Sequence, residues 1–286
     1  MSLDVQISGN VMQMAIVQLR PGQTVYSEAG KFLFSSADVT MQTKLTAPAG
    51  AGQPGGGQPA GAGGGQPAGG GQPAAAGGLS GMLRGAMDVG KRVLAGESFA
   101  FCHFTTTGGD GLLALAGVLP GEMRVLELDG QTTWFAEKDA FVAAEAGVNF
   151  DIAFSGLRQG FAGGEGFVLE KFTGRGSLII AGAGNFIDIN PADYGGRLKV
   201  DTGCVVAWDH RISYGVERVG SLNRAGVMNA MFGGEGMSLA TLTGNGSVIL
   251  QSMTIDGLAK ALRKNMGAGD KKTGAGMGGL FSGSTE

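Results

Sequence analysis

Cys102 and His103 stand side by side in the run Phe99-Ala100-Phe101-Cys102-His103-Phe104, and a thiol beside an imidazole is the raw material of nucleophilic catalysis. Successive residues of a strand point to opposite faces, so this pair cannot meet, and both side chains read as structural. The second histidine, His210, follows Asp209 in what reads as a turn. A hydrolase built on Asp209-His210 would need a serine in a Gly-X-Ser-X-Gly elbow, and the chain has none. No paired Cys or His spacing of the kind that holds zinc recurs along the sequence. Gly174-Arg175-Gly176 and Gly182-Ala183-Gly184 are not followed by helical periodicity, so they read as turn chemistry and not as phosphate-cradling loops.

One set of acidic residues is harder to dismiss. Glu97, Glu165 and Glu235 occupy the same place in an internal repeat. Carboxylates that converge repel one another unless a cation or a proton sits between them, so convergence would make a hard-metal or pH-sensitive site. The plainer alternative is that each accepts N–H bonds from its own glycine-rich turn or pairs with a base such as Arg92 or Arg158. The expectation is no catalytic residue and no cofactor, with these three glutamates as the metal candidate.

The elements that must position any such site follow from composition. Of 286 residues, 56 are glycine, nearly three times the usual share of roughly 7%. Residues 47–78 contain only Gly, Ala, Pro and Gln, with Gly-Gln-Pro recurring, and cannot bury enough apolar surface to offset their ordering entropy. They are expected to form a disordered insertion, and the glycine-rich end is expected to fray. The remaining glycines suit turns and bulges between short strands. Strands are expected over Val11–Leu19, Lys31–Thr43, Phe99–Thr105, Gly111–Val118, Met123–Leu128, Gln131–Phe135, Gly166–Phe172 and Ser177–Ala181. The pattern continues over Phe186–Ile189, Leu198–Val200, Cys204–Trp208, Ile212–Arg218, Met237–Leu242 and Ser247–Met253. Helical spacing marks two places. Residues 79–94 form an amphipathic stripe that could lie on a membrane surface, in a partner groove or over a sheet face, and Ile255–Met266 reads as a C-terminal helix.

The repeat ties these strands together. Gly163-Gly164-Glu165-Gly166 through Thr173-Gly174-Arg175-Gly176-Ser177 recurs seventy residues later as Gly233-Gly234-Glu235-Gly236 through Thr243-Gly244-Asn245-Gly246-Ser247. A weaker first copy runs from Gly96-Glu97-Ser98-Phe99 to Gly109-Asp110-Gly111-Leu112. Each copy reads as a hairpin whose Thr-Gly-X-Gly makes the tight turn. The expectation is an all-β protein of three β-sandwich subdomains, 1–117, 118–185 and 186–257, in a pseudo-threefold arrangement, with residues 258–286 holding the C-terminal helix and tail.

Taken as a set, Tyr26-Ser27-Glu28-Ala29-Gly30, Arg92 with Gly96-Glu97-Ser98, Gly164-Glu165-Gly166, Val200-Asp201-Thr202-Gly203, Val206-Ala207-Trp208, Gly234-Glu235-Gly236 and Val248-Ile249-Leu250-Gln251 resemble the altered-inheritance-of-mitochondria protein twenty-four family. The resemblance covers nearly the whole chain outside 47–78 and the tail. It implies a fold like that of the tryptophan RNA-binding attenuation protein (TRAP-like), and it implies no particular activity.

Charge argues against RNA. The net charge is -3, and the basic residues are scattered singly or in short pairs. The longest apolar run, Leu112–Leu119, is about eight residues against the 18 or more of a membrane span. Two cysteines and a start without a signal-peptide pattern make a cytoplasmic protein the expectation. The leading functional expectation is a non-enzymatic scaffold with protein partners, homo-oligomeric through its strand edges. The alternative is a small-ligand or metal-binding protein with its site at a subdomain junction.

Overall fold

In a computed structural model the described residues are 2–45, 47, 100–154, 168–218 and 238–265. The insertion at 48–78, the 79–94 stripe and the tail lie outside them, as do Glu97, Glu165 and Glu235.

The described chain is antiparallel β-structure with one short α-helix. Eighteen strands run in order: β1 (Asp4–Ser8), β2 (Met14–Leu19), β3 (Thr24–Glu28), β4 (Phe32–Ser35), β5 (Val39–Lys44), β6 (Phe101–Thr106), β7 (Gly111–Ala116), β8 (Met123–Asp129), β9 (Trp134–Glu137), β10 (Phe141–Glu145), β11 (Val148–Phe154), β12 (Val168–Ala181), β13 (Phe186–Ile189), β14 (Arg197–Asp201), β15 (Val205–Asp209), β16 (Ile212–Arg218), β17 (Ser238–Gly244) and β18 (Val248–Gln251). The helix α1 spans Ile255–Asn265, with Asp256 in its first turn and Arg263 and Lys264 in its last, as the helix dipole favours. It starts at Ile255, where the helical spacing placed it, and Thr254 accepts the first helical bond, from the Leu258 N–H.

Strand pairing divides into three equivalent sets. In the first, β7 lies between β2 and β4 while β6 lies between β3 and β5. In the second, the C-terminal half of β12 lies between β8 and β10 while its N-terminal half lies between β9 and β11. In the third, β18 lies between β13 and β15 while β17 lies between β14 and β16. Two further ladders join these units edge to edge. Strand β10 pairs with β3, Ala143 opposite Ser27, and β15 pairs with β9, Ala207 opposite Ala136.

The Thr-Gly-X-Gly segments are not hairpin turns. Val168–Ala181 is one continuous strand that leaves one sheet and enters the next, and Gly174 (φ 97°) and Gly176 (φ 138°) are where it bends. β17 and β18 make the same passage around Gly244 (φ 130°), and β6 and β7 make it around Gly108-Gly109. A hairpin would have paired the flanking halves with each other. Here each half finds partners in a different sheet, so glycine serves a corner between layers. A β-carbon on Gly174 would press into the Gly147 carbonyl oxygen, and one on Gly244 into that of Arg211, so these two corners have neither the conformational nor the steric room for a side chain.

The sheets shared between units are buried on both faces. Along β3, Val25 faces a core with Leu19, Phe104 and Leu115, while Tyr26 faces a second core with Phe101, Phe141 and Phe172. A third core gathers Leu169, Trp208, Leu242 and Val248. Trp208 stacks on Tyr214 at 4.6 Å and on Phe135 at 5.9 Å.

Candidate functional site

Each histidine sits where its strand puts it. Cys102 belongs to the core of the first unit, whereas His103 lies on the other face beside the Tyr26 ring, with centroids 6.2 Å apart. His210 caps the turn after β15. Its N–H donates to the Thr133 carbonyl at 2.9 Å, and its Nδ1 accepts from the Thr133 N–H at 3.3 Å. Asp209 is an organiser of the same turn, accepting from the Arg211 and Ser247 N–H groups at 2.9 and 2.8 Å. Burial by itself would raise the Asp209 carboxyl, but the Arg211 guanidinium and these two N–H groups outweigh it and hold the group below the usual aspartate range. Asp209 and His210 therefore close a turn and present no nucleophile. Among the described residues no group of three or more His, Cys, Asp and Glu is placed to hold a metal ion.

The most unusual chemistry lies at the seam between the first and second units. Glu170, on the N-terminal half of β12, is fully buried with its side chain on the Phe172 face, and neither carboxylate oxygen has a hydrogen-bond partner. Burial, then the Glu28 charge, push its carboxyl well above the usual glutamate range, with Lys31 opposing. Lys31 is itself buried and stands 3.4 Å from Glu28. Glu137, on β9, is pushed up to about 8 by burial and then by Asp139. Tyr26 crosses the same seam: its hydroxyl donates to the Val148 carbonyl at 3.0 Å, and burial followed by Glu170 raises its ionisation far above the ordinary phenol range. A carboxyl whose ionisation is opposed by burial, and which no solvent reaches, offers no route to a substrate.

Two depressions lie among the described residues. One depression of about 340 Å³ is lined by Arg20–Thr24 and Glu145–Gly147, at the end of the β10–β3 seam. Another of about 300 Å³ lies among Asp188, Asn190, Tyr194, Arg211 and Asn245. Both are open troughs, unlike the enclosed apolar clefts that bury most of a small ligand.

A stronger signal is convex. Phe32, Leu33 and Phe34 of β4 are 41%, 50% and 45% exposed. Their topological counterparts in β10 (Phe141, Val142, Ala143) and β15 (Val205, Val206, Ala207) are at most 1% exposed, because the preceding unit covers them. The register irregularity at Phe32/Phe34 recurs at Phe141/Ala143 and Val205/Ala207, which fixes the correspondence. Val11, Met12, Met41 and Leu45 of the same unit are also exposed. The reading of the sequence placed Phe32–Phe34 inside one strand over Lys31–Thr43 and attached no role to them. A run of three apolar residues followed by polar positions was the available signal.

The comparisons agree with this architecture. A protein of Streptococcus pyogenes serotype M6, described as uncharacterized, is 28% identical over 256 residues, covering 88% of this chain and 87% of its own. A crystal structure of a Streptococcus pyogenes protein superimposes with a TM-score of 0.65 over 92% of this chain and 99% of its own, at 24% identity, and shows the fold. Among the described residues no helix is long and apolar enough to cross a membrane. The family described as mitochondrial biogenesis AIM24 matches residues 5–253, and the chain belongs to that family.

Proposed function

We propose that the protein is a non-enzymatic scaffold whose first unit presents an apolar docking surface. The observation that carries this reading is the burial contrast at β4: residues whose counterparts are sealed in the other two units stand open here. A contiguous run of exposed apolar residues such as Phe32–Phe34 marks an interaction site, whereas apolar residues exposed singly do not. The alternative, a small ligand or metal at a unit junction, draws on the unpartnered Glu170 carboxyl, but that group is sealed from solvent and lines neither trough.

The test is a quantitative pull-down with the full chain as bait, comparing wild type with a Leu33→Lys/Phe34→Lys double variant. These side chains are 50% and 45% exposed, so the fold tolerates the change. The expected result is at least a tenfold loss of specifically retained proteins. Equal retention by both baits would remove the reading. Thermal-shift screening against divalent metals and metabolites addresses the alternative, for which a saturable rise in Tm is the required sign.

A further inference from the structure

We propose that β4 is a self-pairing edge: two copies of the chain join through their Phe32–Ser35 strands, antiparallel, about a twofold axis. This rests on the scaffold reading and names one partner of that surface.

In each of the other units the strand equivalent to β4 has neighbours on both sides. β10 lies between β12 and β3, and β15 lies between β18 and β9. Among the described residues β4 has β7 on one side and no strand on the other. Among the described residues its outer N–H and C=O groups have no ladder partner, and Phe32, Leu33 and Phe34 flank them. Proteins that leave an edge free in solution blunt it with lysine, proline or a bulge that turns it away. Phe32-Leu33-Phe34-Ser35 carries no charge and no proline, and its irregularity at Phe32/Phe34 is shared by β10 and β15, which take an outer partner all the same.

The occupant follows from what the edge would meet. In the built seams the strand opposite is β3 or β9, and the remaining strand of that class is β14. β14 is already protected: its Arg197 and Lys199 both pair with Glu217, and Asp201 ends the strand. An uncharged apolar strand gains nothing from that edge. Laid against its own copy, β4 puts no like charges opposite each other, and cross-strand apolar pairs stabilise such a ladder. Self-pairing about a twofold is antiparallel by necessity, as is every strand ladder described in the chain. The product is one eight-stranded sheet, β1-β2-β7-β4 continued into the same four strands of the second copy. A twofold contact uses up the edge on both copies, so assembly stops at the dimer.

Single cysteines test this directly. In a Cys102→Ala/Cys204→Ser background, Phe32, Leu33, Phe34 and Ser35 are replaced one at a time by cysteine and mildly oxidised. Self-pairing predicts that at least one variant gives a reducible dimer and nothing larger, because each copy then holds a single thiol at the axis. Sedimentation of the wild type should give twice the 28.8 kDa of one chain. Leu33→Lys/Phe34→Lys should return it to the monomer with at least a hundredfold weaker association and an unchanged far-ultraviolet spectrum. A wild type that sediments as a monomer at 100 µM overturns the proposal. So does a Phe34→Cys/Val200→Cys variant that gives a ladder of oligomers while every single-cysteine variant stays monomeric, since that pattern reports head-to-tail pairing of β4 with β14. A monomer that still retains other proteins in the pull-down removes the self-pairing and leaves the scaffold reading. A dimer that retains none does the reverse.

Discussion

The first and third units end the chain of sheets in opposite ways. At the outer side of the third unit, Lys199 of β14 occupies the place that Tyr26 holds in β3 and Phe135 in β9, as the registers to β17, β6 and β12 show. Tyr26 and Phe135 pack into the core of the next unit, whereas Lys199 faces solvent and pairs with Glu217 at 2.8 Å. At the outer side of the first unit, β4 keeps the apolar residues of an interior strand and none of the polar cover. A terminal unit of a stacked fold is finished with a polar face when it ends at water. One end of this molecule is finished in that way and the other is not, and the unfinished end is where a partner belongs.

Four changes would break or sharpen that comparison. The largest effect is expected from Trp208→Ala. Trp208 anchors the third unit between Phe135 and Tyr214 at a position where the first unit has Ser35 and the second Ala144. Loss of so large a buried ring costs about 4 kcal/mol. Calorimetry should show a Tm drop of about 8–16 °C. If the drop is under about 3 °C, the charged end is not held by this stack.

The glycine corners come next. Gly244→Ala forces a β-carbon onto the Arg211 carbonyl at φ 130° and should cost about 3 kcal/mol. Gly111→Ala in the first unit meets side chains and not backbone, Val39 most closely, with Ser36 and Thr106 at ordinary contact, and should cost about 2 kcal/mol. Urea denaturation would reveal a reversed order, which would mean that the first unit is the tighter of the two.

The third change is in pH. Glu137 has a folded-state pKa of about 8 and Glu170 a raised one, so the folded chain binds more protons than the unfolded chain between the unfolded glutamate range and pH 8. Their contribution to stability is complete below the unfolded value and is lost as pH rises through the folded values. Tm should fall between pH 5 and 9, and Glu170→Gln should raise Tm at pH 9 and flatten the profile. Asp209 works in the opposite sense and in another window: its lowered carboxyl supports the fold above the usual aspartate range and releases it as pH falls below. A Glu170→Gln variant with the wild-type slope between pH 5 and 9 would show that the buried acid is not the sensor.

The smallest change in stability, within about 0.5 kcal/mol, is expected for Lys199→Tyr, because the side chain is exposed. Its consequence should appear in light scattering. An aromatic restored to the finished end should promote association there, and a variant that scatters like wild type would mean that Lys199 is not the cover.

Much of the fold could be read from residue pattern. The all-β class, the short terminal helix and most strands follow from alternation and turn residues. β1, β3, β10 and β11 escaped. In β3 and β10 the cause is burial on both faces, which erases alternation, so that Phe141-Val142-Ala143-Ala144 reads as neither strand nor helix, whereas β1 and β11 do alternate and were legible. Lys31–Thr43 is two strands with a turn at Ser36–Asp38, and the described part of Gly166–Phe172, from Val168 on, lies with Ser177–Ala181 along one strand, β12, rather than two. Ser35 and Ser36 read as strand and Gly174 and Gly176 as a turn, because only long-range pairing decides whether such residues reverse a chain or merely bend it. The candidate surface was harder to see, since Phe32–Phe34 looks no different from Val205–Ala207 until their neighbours are known. Glu170 was invisible for the same reason: a charge beside Leu169 on a strand is ordinary unless both faces are covered.

β12 carries a mechanical consequence of its own. A ribbon gripped by β8 and β10 along one half and by β9 and β11 along the other resists a lengthwise pull in shear, with every rung loaded at once. Tension on the two ends of the polypeptide should strip the outer strands first, leaving this ribbon and its four neighbours as the last part to yield.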